Sequence, residues 1–205
     1  MTGIVPVRKG WVRVEAGRLS WMLPVDRAPV PDAVPGADID PESLDALEDE
    51  CQPPAARRDA LRHLAGSERT CAGLTGYLAG RGYAPRIVEA AVSWARANRF
   101  VDDGRYAAAF VDGRAGRSPM GSARIRLELR RRGVPDGEAD SVLRDRDDED
   151  QIDALVETVR RRYGGLPRET AFRRAAGYLS RRGFSTGLAL RVIARAFRDG
   201  GEGPG

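Results

Sequence analysis

The chain is poor in the side chains with which most enzymes work. It has one histidine, His63, and two cysteines, Cys51 and Cys71, among 205 residues. A multi-histidine metal centre is therefore excluded. Two cysteines 20 positions apart form neither a zinc-type CxxC pair nor a disulfide framework. Such usage suits a reduced, cytoplasmic protein. Lysine occurs once, at Lys9, and no G-x-x-x-x-G precedes it, so the phosphate-binding loop of nucleotide hydrolases is missing. Gly76, Gly80 and Gly82 follow no strand pattern and make no dinucleotide fingerprint. The one G-x-S-x-G string, Gly183-Phe184-Ser185-Thr186-Gly187, follows a helical pattern rather than a strand and makes no nucleophile elbow. No apolar run reaches 18 residues, so no membrane span is expected. The opening Met1-Thr2-Gly3-Ile4 lacks a secretory pattern. The sequence thus predicts no catalytic residue, no metal and no cofactor.

What is present is arginine and a repeat. The chain is 41% hydrophobic, enough for a core, and 31% charged. Residues 1–50 carry 5 basic and 10 acidic side chains, residues 51–205 carry 29 basic and 20 acidic ones. A basic body with an acidic leader predicts a polyanionic or acidic partner, either nucleic acid or an acidic protein groove. The plainer alternative is that the arginines solvate helix faces.

An Arg-Gly pair followed by an apolar residue recurs three times about 50 residues apart: Arg81-Gly82-Tyr83, Arg132-Gly133-Val134 and Arg182-Gly183-Phe184. A fixed period of this length signals stacked units. Leu78, Leu129 and Leu179 precede the glycines at matching places. Glycine just past a basic final turn is a helix stop, and the following apolar residue should fold back onto that helix. Pro85 and Pro135 mark the next helix starts, with Ser185 or Thr186 serving as the cap in the third copy.

These signals predict helices over 55–64, 70–81 and 85–97, then 103–115, 121–132 and 136–145, then 149–163, 169–182 and 186–198. The expected organisation is an acidic, proline-rich extension (1–53), three three-helix repeats (54–98, 99–147 and 148–199) and a flexible tail (200–205). Within the extension, residues 11–23 suggest a short hairpin, 24–41 a mobile linker and 42–50 a short helix. The fold class is all-α, with the extension either of low order or a hairpin. Units this short should stack on their neighbours to complete a core.

Two motifs carry most of the local information. In Phe100-Val101-Asp102-Asp103-Gly104-Arg105-Tyr106, an aspartate caps the helix that starts there and Phe100 acts as an apolar staple against the following turn. In the stretch Arg124 to Arg132, Ile125 and Leu129 face inward, and Arg124, Glu128 and Arg131 share a face. Arg126, Arg130 and the flanking Arg117 are left to project outward. Arg173, Arg174, Arg181 and Arg182 extend a similar surface into the third copy. The partner-binding candidates are therefore Arg117, Arg124, Arg126, Arg130, Arg131, Arg173, Arg174, Arg181 and Arg182. Tyr77 and Tyr178 occupy matching positions and are assigned to packing.

Phe100, Asp102, Asp103 and Tyr106, followed by Gly121, Arg124-Ile125, Glu128-Leu129 and Arg132-Gly133-Val134, resemble the signature of the RecX regulatory proteins. Arg69-Thr70, Leu74, Leu78 and Arg81-Gly82-Tyr83 resemble the preceding segment of that family. The resemblance spans residues 55 to 198. It implies three tandem three-helix repeats in an elongated, curved body. It also implies a non-enzymatic monomer that occupies the groove of the RecA filament on DNA, inhibiting ATP hydrolysis, coprotease activity and strand exchange. DNA itself, single- or double-stranded, is a second implied partner. One departure is the glycine-rich helix Cys71-Ala72-Gly73-Leu74-Thr75-Gly76-Tyr77, which lacks the acidic residue before Leu78. The competing reading is a helical-repeat nucleic-acid binder that acts without RecA.

Overall fold

The computed structural model describes residues 2–28, 40–115 and 119–198. Most of the expected linker, the expected tail and Arg117 lie outside the described residues. The chain divides into two compact units, 1–102 and 103–205.

The first unit opens with a three-stranded sheet, one strand more than the expected hairpin. Strands β1 (Thr2–Arg8), β2 (Trp11–Ala16) and β3 (Leu19–Pro24) form an antiparallel sheet in the order β1-β2-β3. Residues 2–8 escaped the sequence reading because Pro6 interrupts them; an edge strand tolerates a proline that a central strand would not. Val14, Trp21 and Leu23 pack on Leu44 of helix α1 (Pro41–Leu64). Met22, pointing the other way, enters the core of the helical repeat. An alternating pattern with apolar residues on both faces has little freedom to stay unpacked.

Helix α1 runs unbroken through Pro53 and Pro54, where the sequence suggests two separate segments. Buried polar side chains just before the prolines tie the helix to the sheet and to the repeat. The Met22 N–H donates to Glu48 Oε1 at 2.9 Å, and Gln52 Nε2 donates to the Met22 carbonyl at 3.1 Å. Gln52 Oε1 also accepts from the Ala84 N–H at 3.1 Å. The open edge of β3 is thus paired by a helix, which removes it as a site of strand addition.

A second lock joins β1 to the repeat. Asp59, buried on α1, accepts from Arg8 (2.6 Å), the Tyr83 hydroxyl (2.7 Å) and Arg81 (2.8 Å). The Arg8 guanidinium lies between the Trp11 and Tyr83 rings, 4.7 and 4.6 Å from their centroids. Burial raises the Asp59 carboxyl, but the donors Tyr83 and Arg8 and the charge of Arg81 outweigh it and leave Asp59 below the ordinary range. Burial, then the bond to Asp59, push the Tyr83 phenol up to about 12 against the pull of Arg8, so it remains a donor.

Helices α2 (Cys71–Gly80) and α3 (Pro85–Ala97) complete the first repeat around Leu74, Leu78, Tyr83, Val88 and Ala91. Phe100 does not act as a forward staple. Its ring packs back on Trp94, with centroids 5.3 Å apart, while the neighbouring Val101 is the buried residue. The staple position is the residue directly before the cap, and with α4 starting at Asp103 that residue is Val101.

The second unit holds two further repeats. Helices α4 (Asp103–Ala115), α5 (Ser122–Arg131) and α6 (Asp136–Leu143) form one, helices α7 (Ile152–Tyr163), α8 (Arg168–Arg181) and α9 (Thr186–Arg198) the other. A 3-10 turn, Asp148–Gln151, leads into α7. Gly82, Gly133 and Gly183 all take positive φ, at 88°, 77° and 83°. In the second unit each is followed by a backbone bond reaching back over the turn, from Val134 to Leu129 (3.1 Å) and from Phe184 to Leu179 (3.2 Å). Tyr83, Val134 and Phe184 are buried as the repeat pattern predicts.

The same turn joins these two repeats. The Gly121 N–H bonds the Arg182 carbonyl at 2.9 Å. A Cβ on Gly121 would lie 2.3 Å from the Gly183 carbonyl oxygen, and one on Gly183 would lie 2.4 Å from the Arg124 nitrogen. The start of α5 is held there by Asp148, which accepts from the Ser122 N–H (3.0 Å) and hydroxyl (2.9 Å). In the first unit the sheet covers the matching turn: a Cβ on Gly82 would lie 3.0 Å from Met22 Sδ.

Gly121→Ala should cost about 2–4 kcal/mol in urea unfolding, because backbone meets it on the far side. Gly187→Ala, with open space at its Cβ, should change stability by less than about 1 kcal/mol. Asp59→Asn should cost about 3 kcal/mol at neutral pH. Since the folded carboxyl titrates below its unfolded value, that contribution is complete above the unfolded carboxylate pKa of about 4. It disappears as pH falls through the lower folded value, so acid unfolding profiles of wild type and Asp59→Asn should converge there.

Candidate functional site

Among the described residues no group of three metal-capable side chains comes together. His63 stacks on Tyr77 at 3.9 Å, and burial followed by the Arg69 charge pushes its pKa down. The structure sorts the guanidinium groups into two kinds.

The first kind is internally neutralised. Glu128 on α5 receives Arg124 (2.6 Å), Arg132 (2.8 Å) and Arg131 (3.9 Å). The Arg132 bond first, with the charges of Arg124 and Arg131, overcomes desolvation and holds the Glu128 carboxyl below its usual range. Arg126 and Arg130 reach across to α6, where Arg126 bonds Asp140 at 2.7 Å and Arg130 grips both oxygens of Asp136 at 3.0 Å. The spacing of α5 alone leaves these two side chains pointing outward. Their acids sit 6 and 14 residues further on, beyond the glycine turn.

The arginines that precede the three glycines belong to the turns. Arg81 bonds Asp59, Arg132 lies 4.7 Å from the Phe110 ring, and Arg182 donates to the Pro119 carbonyl at 3.2 Å while lying over Tyr178 at 5.3 Å. Arg182 thus supports the seam between the two repeats of the second unit.

The second kind gathers on α8. Arg173, Arg174 and Arg181, with Gly177 and Tyr163, line an open concavity of about 460 Å³. On a helical wheel these α8 positions fall within about 100° of arc. Ala171, Ala175, Tyr178 and Leu179 are buried on the other side. No carboxylate among the described residues pairs with Arg173, Arg174 or Arg181. The cause lies in sequence: counted from the glycine of each turn, Arg174 and Arg181 match Arg124 and Arg131, and Tyr178 stands where Glu128 receives those two. Gly177 leaves room for Arg181, whose Nη1 lies 3.1 Å from where a Cβ would stand. Three unneutralised guanidiniums beside a tyrosine can grip phosphate or carboxylate oxygens in paired bonds and offer a ring for stacking. Tyr163 was missed by the sequence reading, since it lies 10 residues before Arg173 on a different helix.

Family models described as the first and second three-helix domains of RecX match residues 56–94 and 102–143. Regulatory protein RecX of Halorhodospira halophila is 38% identical over 152 residues, covering 73% of this chain and 93% of the relative. That of Trichlorobacter lovleyi is 35% identical over 149 residues, covering 70% and 97%. Among solved structures, RecX from Lactobacillus salivarius superposes with a TM-score of 0.65 at 20% identity, over 71% of this chain and 96% of its own. A second structure of regulatory protein RecX gives 0.67 at 20% identity, over 90% and 94%.

The two kinds of arginine should separate in thermal and urea melts. Arg182→Ala should cost about 1–2 kcal/mol, because it strips a donor and a ring contact from a half-buried seam. Arg173→Ala and Arg174→Ala should each stay within about 0.5 kcal/mol of wild type.

Proposed function

The chain belongs to the RecX family of regulatory proteins, and from that membership we propose that it is a non-enzymatic, cytoplasmic regulator of RecA. It acts as a monomer that lies in the groove of the RecA–DNA filament and lowers ATP hydrolysis, strand exchange and coprotease activity. Arg173, Arg174 and Arg181 form the principal contact with filament or DNA. The observation that carries this reading is the α8 cluster: three cations with no partner within the described residues, on a helix whose other face is fully used by the core. An ordinary solvated face would be laced with acids, as α5 and α6 are. Arg126, Arg130, Arg124 and Arg131 act in the same surface only after their acids yield them, which makes them secondary contacts. Arg117, which lies outside the described residues, is proposed as a further contact on its charge alone. No described helix is long and apolar enough to cross a membrane, which fits a partner in solution.

A second reading, nucleic-acid binding without RecA, draws on the placement of Tyr163 beside the guanidiniums. It differs in one measurable respect: it requires DNA affinity with a steep salt slope and no dependence on the recombinase.

The test is RecA ATP hydrolysis on single-stranded DNA with this protein added below one-to-one. Inhibition is expected, together with a loss of about tenfold in potency for the triple variant Arg173→Glu, Arg174→Glu, Arg181→Glu. The melting temperature of that variant should stay within about 3 °C of wild type. Unchanged hydrolysis at saturating protein would refute regulation of RecA. Equal potency of wild type and triple variant would remove α8 as the contact.

A further inference from the structure

The three repeats carry the same groove, between the second and third helices, and treat it in three different ways. In the repeat built on α5 and α6 the groove is bridged by two of its own arginines, Arg126 to Asp140 and Arg130 to Asp136. Counting from the glycine of each turn, the matching residues on α2 and α3 are Thr75 for Arg126, Ala79 for Arg130, Pro85 for Asp136 and Glu89 for Asp140. One of the two acids of the third helix is kept, as Glu89, the other gives way to Pro85, and both arginines are replaced by small side chains. On α8 and α9 the corresponding residues are Ala176, Ser180, Thr186 and Leu190, so there the acid is gone as well.

The consequence in the first repeat is an open cavity of about 330 Å³ lined by Thr75, Ala79, Val88, Glu89, Val92 and Ser93, with Tyr83 and Pro85 at one end. Its floor is apolar, with Val88 buried and Val92 half-buried. Its rim holds one carboxylate, Glu89, exposed and with no cation beside it among the described residues. The repeat formed by α5 and α6 shows what meets such an acid: the guanidinium of an arginine reaching across from the second helix. Long basic side chains bury their stems on apolar surface while the charge stays at the edge.

We propose that the groove between α2 and α3 is a docking site for a partner protein that supplies this arginine in trans, from a helix laid across Thr75 and Ala79 with its guanidinium on Glu89. The partner is distinct in chemistry from the anion that the α8 cluster takes, because this groove is apolar and acidic. Small residues at 75 and 79 let a helix backbone approach, and an arginine-bearing face satisfies both floor and rim. A second copy of this chain is a poorer occupant: the arginines of its α5 are committed to Asp136 and Asp140, and those of its α8 are the ones the proposed function gives to filament or DNA.

The test uses the full chain, labelled with nitrogen-15, and a capped alanine-based helical peptide with two arginines one turn apart. At roughly millimolar peptide, amide shifts should move at Thr75, Ala79, Val88, Glu89 and Val92 and saturate together. Glu89→Gln should weaken the peptide about two- to fivefold, the range for one exposed ion pair. Thr75→Arg, which recreates the Arg126–Asp140 bridge in cis, should weaken it about tenfold or more by occupying the groove. Its melting temperature should not fall, because the new side chain lies at an exposed position. A peptide with glutamates in place of arginines should leave the groove unmoved. The proposal is overturned if the arginine peptide moves no groove amide, if the glutamate peptide binds equally well, or if Thr75→Arg binds like wild type.

Discussion

A tight turn that glycine alone adopts without strain sets the geometry of everything else. Gly82, Gly133 and Gly183 each end a helix at positive φ. The chain then reverses at once, and the next apolar residue drops back into the core. In the second unit the turn is also a socket: the start of α5 sits against the Gly183 backbone so closely that neither glycine tolerates a Cβ. In the first unit Met22 and Val7 of the sheet cover the equivalent turn. A repeat protein must finish its terminal faces with something other than another repeat, and the sheet serves that purpose at Gly82.

Around these turns the molecule spends its arginines in a graded way. Those next to the glycines are locked to acids, rings or carbonyls and belong to the fold. Those on α5 are neutralised by α6. Those on α8 have Tyr178 where α5 has Glu128, and keep their full charge. One repeated scaffold thus carries a stabilising, a latent and an exposed basic surface, and the difference lies in which repeat positions hold an acid. The groove of the first repeat inverts the pattern, with an acid and no arginine.

Much of this was legible in the sequence. The period, the glycines and the apolar residues after them gave the helices close to their observed limits, because each signal is local and backbone-driven. The sheet was less legible. Pro6 hid β1, and the alternation of β2 and β3 looked too short to fold until α1 supplied Glu48 and Gln52 to pair its edge. Pro53 and Pro54 suggested a break where α1 runs on. The pairing of Arg126 with Asp140 and of Arg130 with Asp136 was beyond reach, since it depends on how α6 turns back across the glycine. The same limit hid Tyr163 beside Arg173 and placed Phe100 one residue too early to be the staple.

The central claim is that the α8 arginines are the charges left free for a polyanionic or acidic partner. Its most direct test is arginine-specific modification with phenylglyoxal, read by mass spectrometry, with and without the RecA filament on single-stranded DNA. Arg173, Arg174 and Arg181 should react readily in the free protein and become protected on the filament, while Arg182 stays slow throughout. Equal reactivity of the three α8 arginines in both states, with protection appearing elsewhere on the chain, would contradict it.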